Sequence, residues 1–193
     1  MTITTTARKP GTKKSARNVL LPANSSEKEK THAHTKVSRV SRHRVIVRPA
    51  SERIFELVYL LPPNERINEI KKGVSAKRVN DLAECMNITT TVLLETLGLA
   101  RATITRKVSK EASLSKDESE RVLGIESLIG QVVTMVNESG EPDGFDAAKW
   151  VSNWLKTPLP ALGGKTPASY MDTVEGQKLV SNILATSQSG AYA

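Results

Sequence analysis

The sequence predicts an all-α protein: a compact helical domain with a helix-turn-helix, then a C-terminal helical segment, the whole preceded by a disordered basic tail. Three observations predict this. Aliphatic residues recur at i, i+3, i+4 and i+7 in successive windows from residue 51 onward. Aromatics make up only 4% of the chain, so any core must be aliphatic. Helix starts and stops are written between the windows: Thr89 and Ser115 as caps, Pro62-Pro63, Gly98 and the prolines after Lys156 as breaks.

Length and charge set the boundaries. A chain of 193 residues has room for one ordinary core, or a small domain with extensions. Residues 1–50 carry 12 Lys/Arg against Glu27 and Glu29, a net of +10. The remainder holds 16 basic and 18 acidic groups, a net of −2, so the high isoelectric point belongs to the tail. That tail has no sustained helical or strand period and two small apolar clusters, Val19-Leu20-Leu21 and Val45-Ile46-Val47. It cannot bury enough surface to offset its ordering entropy. Two readings fit it equally: a phosphate-seeking arm or a solvated extension. No apolar run approaches the roughly 18 residues of a membrane span, and no N-terminal apolar block resembles a secretory signal. The single cysteine excludes an internal disulfide and suits a reducing cytoplasm.

Residues 51–111 read as the helix-turn-helix domain. Ser51 is positioned to cap a helix with Ile54, Leu57, Val58 and Leu61 inward, ended by Pro62-Pro63. A short helix over Glu65–Lys72 stops at Gly73, and a third places Val79, Leu82, Ala83 and Met86 on one face. Cys85 flanks that face with no base or cation nearby and reads as structural or semi-exposed. Thr89 then caps a helix with Val92, Leu93 and Leu97 inward, Gly98 turns the chain, and Leu99 plugs the turn. The next helix, from about Arg101 to Val108, buries Ile104 and Val108 and presents Arg101, Thr103, Thr105, Arg106 and Lys107 outward. A helix, a short Gly turn and a second helix is the geometry that enters the major groove. Arg and Lys reach guanine edges or phosphates, and Thr reaches phosphate or a thymine methyl. Ala100 is a poor N-cap for this helix and weakens its start by ~1 kcal/mol.

Residues 112–193 form the C-terminal part. Ser115 and Glu118 make a capping box for a long helix carrying Val122, Ile125, Ile129, Val132, Val133 and Val136. Leu123, Leu128 and Met135 widen the stripe beyond one small core, toward the C-terminal segment or a subunit partner. After the loop Ser139–Gly144, a helix over Phe145–Lys156 places Trp150 and Trp154 on one face; Trp150 reads as core, and Trp154 as core or interface anchor. Three prolines then end the helix near Lys156, and Gly163-Gly164 bends the chain. Asp172-Thr173 opens a last amphipathic run from Val174 to about Thr186, with Leu179, Val180, Ile183 and Leu184 as its stripe. That stripe packs on Val132, Val133 and Val136, or on a partner, or divides between them.

The order of these motifs resembles the Xre/MbcA/ParS antitoxins, partners of RES-domain toxins in bacterial toxin–antitoxin modules. The likeness lies in Leu97-Gly98-Leu99, Arg101–Lys107, Leu114–Val122, Trp154–Pro158, Leu162–Pro167, Asp172–Gly176 and Gly190-Ala191-Tyr192, and runs from about Ile54 to Ala193. It implies a C-terminal helical toxin-binding segment that lodges across the mouth of the toxin's NAD⁺ pocket. It also implies a homodimer whose helix-turn-helix represses its own operon on double-stranded DNA. By position, the toxin-facing residues are Trp154, Leu162, Gly163, Gly164, Lys165, Ser189, Gly190 and Tyr192, with Lys165 where the family often carries Arg. A stand-alone helix-turn-helix regulator or architectural protein is the competing reading. An enzyme finds little support: there is no Gly-rich phosphate loop, no metal-ligand spacing and no histidine in residues 51–193, and no cofactor is implied.

Overall fold

The computed structural model describes residues 50–140 and 143–188. The basic tail and Ser189, Gly190 and Tyr192 lie outside the described residues. Among these the architecture is all-α, with a single isolated antiparallel bridge, Ser75 to Ser113, in place of any strand. The helices are α1 (Ala50–Leu60), α2 (Pro63–Lys72), α3 (Arg78–Cys85), α4 (Thr90–Thr96), α5 (Arg101–Ser109), α6 (Lys116–Ser139), α7 (Ala147–Trp154) and α8 (Val174–Gln188). Two 3₁₀ turns, Pro160–Leu162 and Pro167–Tyr170, lie between α7 and α8.

Helix α6 is the axis on which the others pack: α1, α2, α7 and α8 all rest on it. Its capping box is complete, with Ser115 Oγ accepting from the Glu118 amide at 3.3 Å and a Glu118 carboxylate oxygen accepting from the Ser115 amide at 2.6 Å. Gly140, at φ 84°, ends it. The wide stripe is satisfied within the chain: Val122, Leu123, Ile125, Leu128, Ile129, Val132 and Val133 are all buried. Two glycines let neighbours approach the α6 backbone closely. A Cβ on Gly130 would fall 2.0 Å from the Phe55 carbonyl oxygen of α1, and one on Gly124 would fall 1.7 Å from Gln177 Oε1 of α8.

Helix α1 turns a different face inward from the one expected. Phe55 and Val58 are buried, whereas Ile54 and Leu57 are 51% and 66% exposed. The close approach at Gly130 brings the Phe55 side of the helix down and turns the Ile54 stripe out. The Arg66 guanidinium then closes the C-terminus of α1, donating to the carbonyls of Val58 (2.7 Å) and Tyr59 (3.0 Å). The third helix follows expectation, with Val79, Leu82, Ala83 and Met86 all buried. Its Arg78 reaches across to Glu126 of α6, Nε to Oε1 at 3.0 Å and a second nitrogen to Oε2 at 2.5 Å. Burial pushes the Glu126 carboxyl above its usual range, opposed by the Arg78 guanidinium. Cys85 is half-buried, and burial pushes its thiol above the ordinary cysteine range.

Candidate functional site

The helix-turn-helix is α4, a short turn and α5. Thr89 caps α4, its hydroxyl accepting from the Val92 amide at 3.3 Å. Leu93 and Leu97 are buried as expected, but Leu94 takes the inward place assigned to Val92, which is 38% exposed. Gly98 sits at φ 60°, and Leu99 is buried in the turn. Arg121 of α6 holds that turn from behind, donating to the carbonyls of Leu97 (3.2 Å) and Gly98 (2.9 Å). Helix α5 begins at Arg101 with no side-chain cap from Ala100 and is pinned by Ile104, which is 1% exposed.

The five residues assigned to DNA do not stand alike. Arg101, Thr105 and Arg106 are exposed, and neither arginine meets a carboxylate among the described residues. Thr103 is half-buried. The Lys107 ammonium pairs with the Glu118 carboxylate that also closes the capping box, so it serves the α5–α6 joint first. Burial raises the Glu118 carboxyl, but Lys107 and the amide and hydroxyl of Ser115 outweigh it and hold it below the ordinary range. A groove of about 220 Å³ lies along α5, lined by Asn80, Thr90, Arg101 and Thr105.

The C-terminal region is built around a tight hydrogen-bonded loop. The Leu159 amide donates to the Lys165 carbonyl (3.0 Å), and the Gly164 amide returns to the Leu159 carbonyl (3.0 Å). Leu162 is the buried foot of this loop; Gly163 and Gly164, at φ 63° and 82°, form its exposed tip. Neither has an atom within 4 Å of where a Cβ would stand, so backbone conformation alone demands glycine there. The exposed Lys165 places its ammonium 6.0 Å from the Tyr170 ring centroid. Downstream, Thr173 rather than Asp172 caps α8, its hydroxyl accepting from the Gly176 amide at 3.1 Å.

Helix α8 is clamped to α6 by two buried amides. Gln177 Nε2 donates to the carbonyls of Arg121 (3.1 Å) and Met171 (2.9 Å). Gln131 and Ser181 exchange two bonds, at 3.1 and 2.7 Å. Val180, Ile183 and Leu184 are buried, whereas Leu179 is 43% exposed. The stripe therefore packs at home with Leu179 turned out. Burial ends at Leu184; Ala185, Thr186 and Ser187 are exposed.

Trp150 is not in the core. It is 37% exposed, because α7 lies on α6 through the small side chains of Ala147, Ala148, Val151 and Ser152. Trp154 is half-buried and stacks on Trp150, centroids 5.9 Å apart and planes 12° apart. Phe145 tilts against Trp150 at 6.3 Å. The buried polar clamps Gln131, Gln177, Ser119 and Glu126 were missed by sequence reasoning, since each interrupts an apolar stripe without any signal that a partner exists.

A helix-turn-helix with an arginine-bearing second helix, joined to a C-terminal helix docked through buried amides, defines a two-part helical protein of the helix-turn-helix class. Residues 65–126 match the family model for the antitoxin Xre-like helix-turn-helix domain, and residues 144–190 match that for the antitoxin Xre/MbcA/ParS C-terminal toxin-binding domain. A protein of Sphingobium sp. (strain YBL2) named Prs ADP-ribosylating antitoxin is 46% identical over 139 residues, 72% of this chain and 87% of that protein. One of Yersinia enterocolitica named Antitoxin Xre is 23% identical over 126 residues, 65% of this chain and 80% of that protein. The chain belongs to the Xre/MbcA/ParS antitoxin family. Among the described residues no helix is long and apolar enough to cross a membrane.

Proposed function

We propose that this antitoxin neutralises a RES-domain, NAD⁺-consuming toxin by lodging its C-terminal residues across the toxin's active site, and represses its own promoter through α5. The observation that carries the reading is the way α8 is held. Its body is fixed to α6 by Gln177 and Gln131, and its last turn leaves the core after Leu184. A 15-residue helix spans about 22 Å, long enough to carry its C-terminal turn away from a base fixed on α6. In this reading Ser189, Gly190 and Tyr192 enter the cleft, while Trp154, Leu162, Gly163, Gly164 and Lys165 belong to the flanking contact. Deleting residues 187–193 abolishes protection of cells expressing the toxin while leaving the fold and DNA binding intact; equal protection by the truncated chain refutes the plug.

In this reading residues 51–111 form the helix-turn-helix domain, 112–193 the toxin-binding and dimerisation domain and 1–50 a basic tail, in a cytoplasmic protein that binds and does not catalyse. Arg101 and Arg106 are the principal contacts, with Thr103 and Thr105 beside them and Lys107 released from Glu118 only at some cost. Replacing Arg101 and Arg106 by Ala lowers the slope of log K against log salt by about 2 and spares neutralisation. Unchanged promoter binding by that pair removes α5 as the recognition helix. For the homodimer, Ile54, Leu57 and Leu60 supply an exposed apolar stripe on α1 at 51, 66 and 60%. Sedimentation of Leu57→Glu as a monomer, against a dimeric parent, is the expected result.

A second reading of the toxin's chemistry is favoured by the name of the Sphingobium relative, which specifies ADP-ribosylation. NAD⁺ is then a donor of ADP-ribose to a protein acceptor and is not simply hydrolysed. Labelled NAD⁺ discriminates: label retained on a protein supports transfer, and label recovered only as free ADP-ribose supports depletion.

A further inference from the structure

We infer that Trp150, held between Phe145 and Trp154, is an anchor of the toxin-binding face, distinct from the C-terminal segment and responsible for affinity rather than for closing the toxin's cleft. The inference rests on the antitoxin reading above and adds to it a site of contact.

The chain spends its aromatics sparingly, with two Trp and two Phe in 193 residues, yet three of those four stand between positions 145 and 154. Helix α7 does not bury Trp150 to reach the core, since it buries Ala147, Ala148, Val151 and Ser152. Trp150 is left 37% exposed and is the only tryptophan classed as exposed among the described residues. It is nevertheless fixed in place. Trp154 stacks on it at 5.9 Å, Phe145 bears on it at 6.3 Å, and both of these are half-buried and pack on the core. An aromatic whose rotamer is set before binding loses little entropy on being covered, and such residues dominate interface energetics. The surroundings suit this role: the Asp146–Lys149 ion pair (3.0 Å) flanks Trp150 in sequence and gives the aromatic centre a polar neighbour.

The occupant is the toxin, because the residues matching the toxin-binding domain begin at 144 and run to 190, so the aromatic ladder forms the leading edge of that domain. The partner surface it fits is a flat apolar or guanidinium-bearing patch with an acceptor for the indole N–H. That patch lies outside the toxin's NAD⁺ cleft, which the opposite end of the domain fills.

The test uses the full chain and the toxin that co-purifies with it from the native host, produced in a form inactivated at its catalytic residue. Dissociation constants are compared for the parent, Trp150→Ala, Trp150→Phe and the chain lacking residues 187–193. Trp150→Ala is expected to bind 10- to 100-fold more weakly, mainly through faster dissociation, with Trp150→Phe recovering most of the loss. The truncated chain is expected to keep most of its affinity. Binding by Trp150→Ala within twofold of the parent overturns the anchor. If that variant misfolds, 5-fluorotryptophan-labelled parent chain decides, its Trp150 resonance assigned by its absence in Trp150→Phe. On adding toxin that resonance is expected to move and to lose its sensitivity to a soluble paramagnetic quencher; an unmoved resonance, or one that moves only with the concentration of the chain alone, overturns the anchor. A parent chain that fails to bind the toxin at all refutes the antitoxin–toxin pairing instead, so the two failures are distinguishable.

Discussion

Helices α5 and α8 carry the two halves of this antitoxin, and they are fastened in opposite ways. Helix α5 is held lightly: Ile104 is its one fully buried residue, it has no side-chain cap, and its charged face is left open. Helix α8 is fastened along one side by Val180, Ile183, Leu184 and two buried amides, and open along Glu175, Lys178, Leu179 and Asn182 and from Ala185 to Ser187. In the proposed reading the contrast follows the two targets. DNA is met by a face, which needs only to be displayed. A catalytic cleft is met by an end, and an end is accurate only if the helix behind it cannot roll.

The two regions meet at Arg121. Its guanidinium holds the Leu97 and Gly98 carbonyls of the helix-turn-helix, and its own carbonyl accepts from Gln177 of α8. A Cβ at Gly98 would lie 3.0 Å from Asp172 Cβ, two residues before α8 begins. The hairpin and the C-terminal helix therefore share one support.

Three substitutions probe how the halves are fastened, from the largest expected effect to the smallest. Gly124→Val drives a side chain into the space of Gln177 Oε1 and costs about 3 kcal/mol. Thermal unfolding of that variant begins with loss of α8, and toxin binding falls further than promoter binding; equal losses contradict the separate fastening of α8. Arg121→Ala removes two charge-assisted bonds to the hairpin but keeps the main-chain carbonyl that Gln177 uses; it costs about 2 kcal/mol and weakens promoter binding by mobility shift more than toxin binding by pull-down. Ser115→Ala removes the α6 cap and costs about 1 kcal/mol with neither activity favoured.

Acid provides a smaller probe of the α5–α6 joint. Because the folded state holds Glu118 below its ordinary value, its contribution is present above the unfolded carboxylate range and is lost as pH falls through the lowered folded value. Melting temperature measured from about pH 6 to about pH 3 therefore falls less for Glu118→Gln than for the parent.

Much of this organisation was legible in the sequence, where local chemistry decides it. The Ser115–Glu118 box, the Thr89 cap, Gly98 and the loop after Lys156 are all satisfied by residues within a few positions. What misled was the choice between two stripes on one helix. Val58 of the expected Ile54-Leu57-Val58-Leu61 stripe is buried, but Phe55 replaces Ile54 and Leu57 beside it, and only the contact between Gly130 and the Phe55 carbonyl, 75 residues apart, selects that face. Trp150 misled for a related reason: a large apolar residue reads as core, but a helix that rides on alanines leaves its large side chains outside. The polar clamps are illegible in principle, since Gln131 and Gln177 declare themselves only once α6 and α8 are side by side.

The most direct test of the central claim, that a rigidly docked α8 presents a closing end to the toxin, is NAD⁺ turnover by purified toxin titrated with this chain or with the chain lacking residues 187–193. The full chain is predicted to stop turnover at stoichiometric amounts, and the truncated chain to bind while turnover continues. Inhibition by both at the same stoichiometry would contradict it.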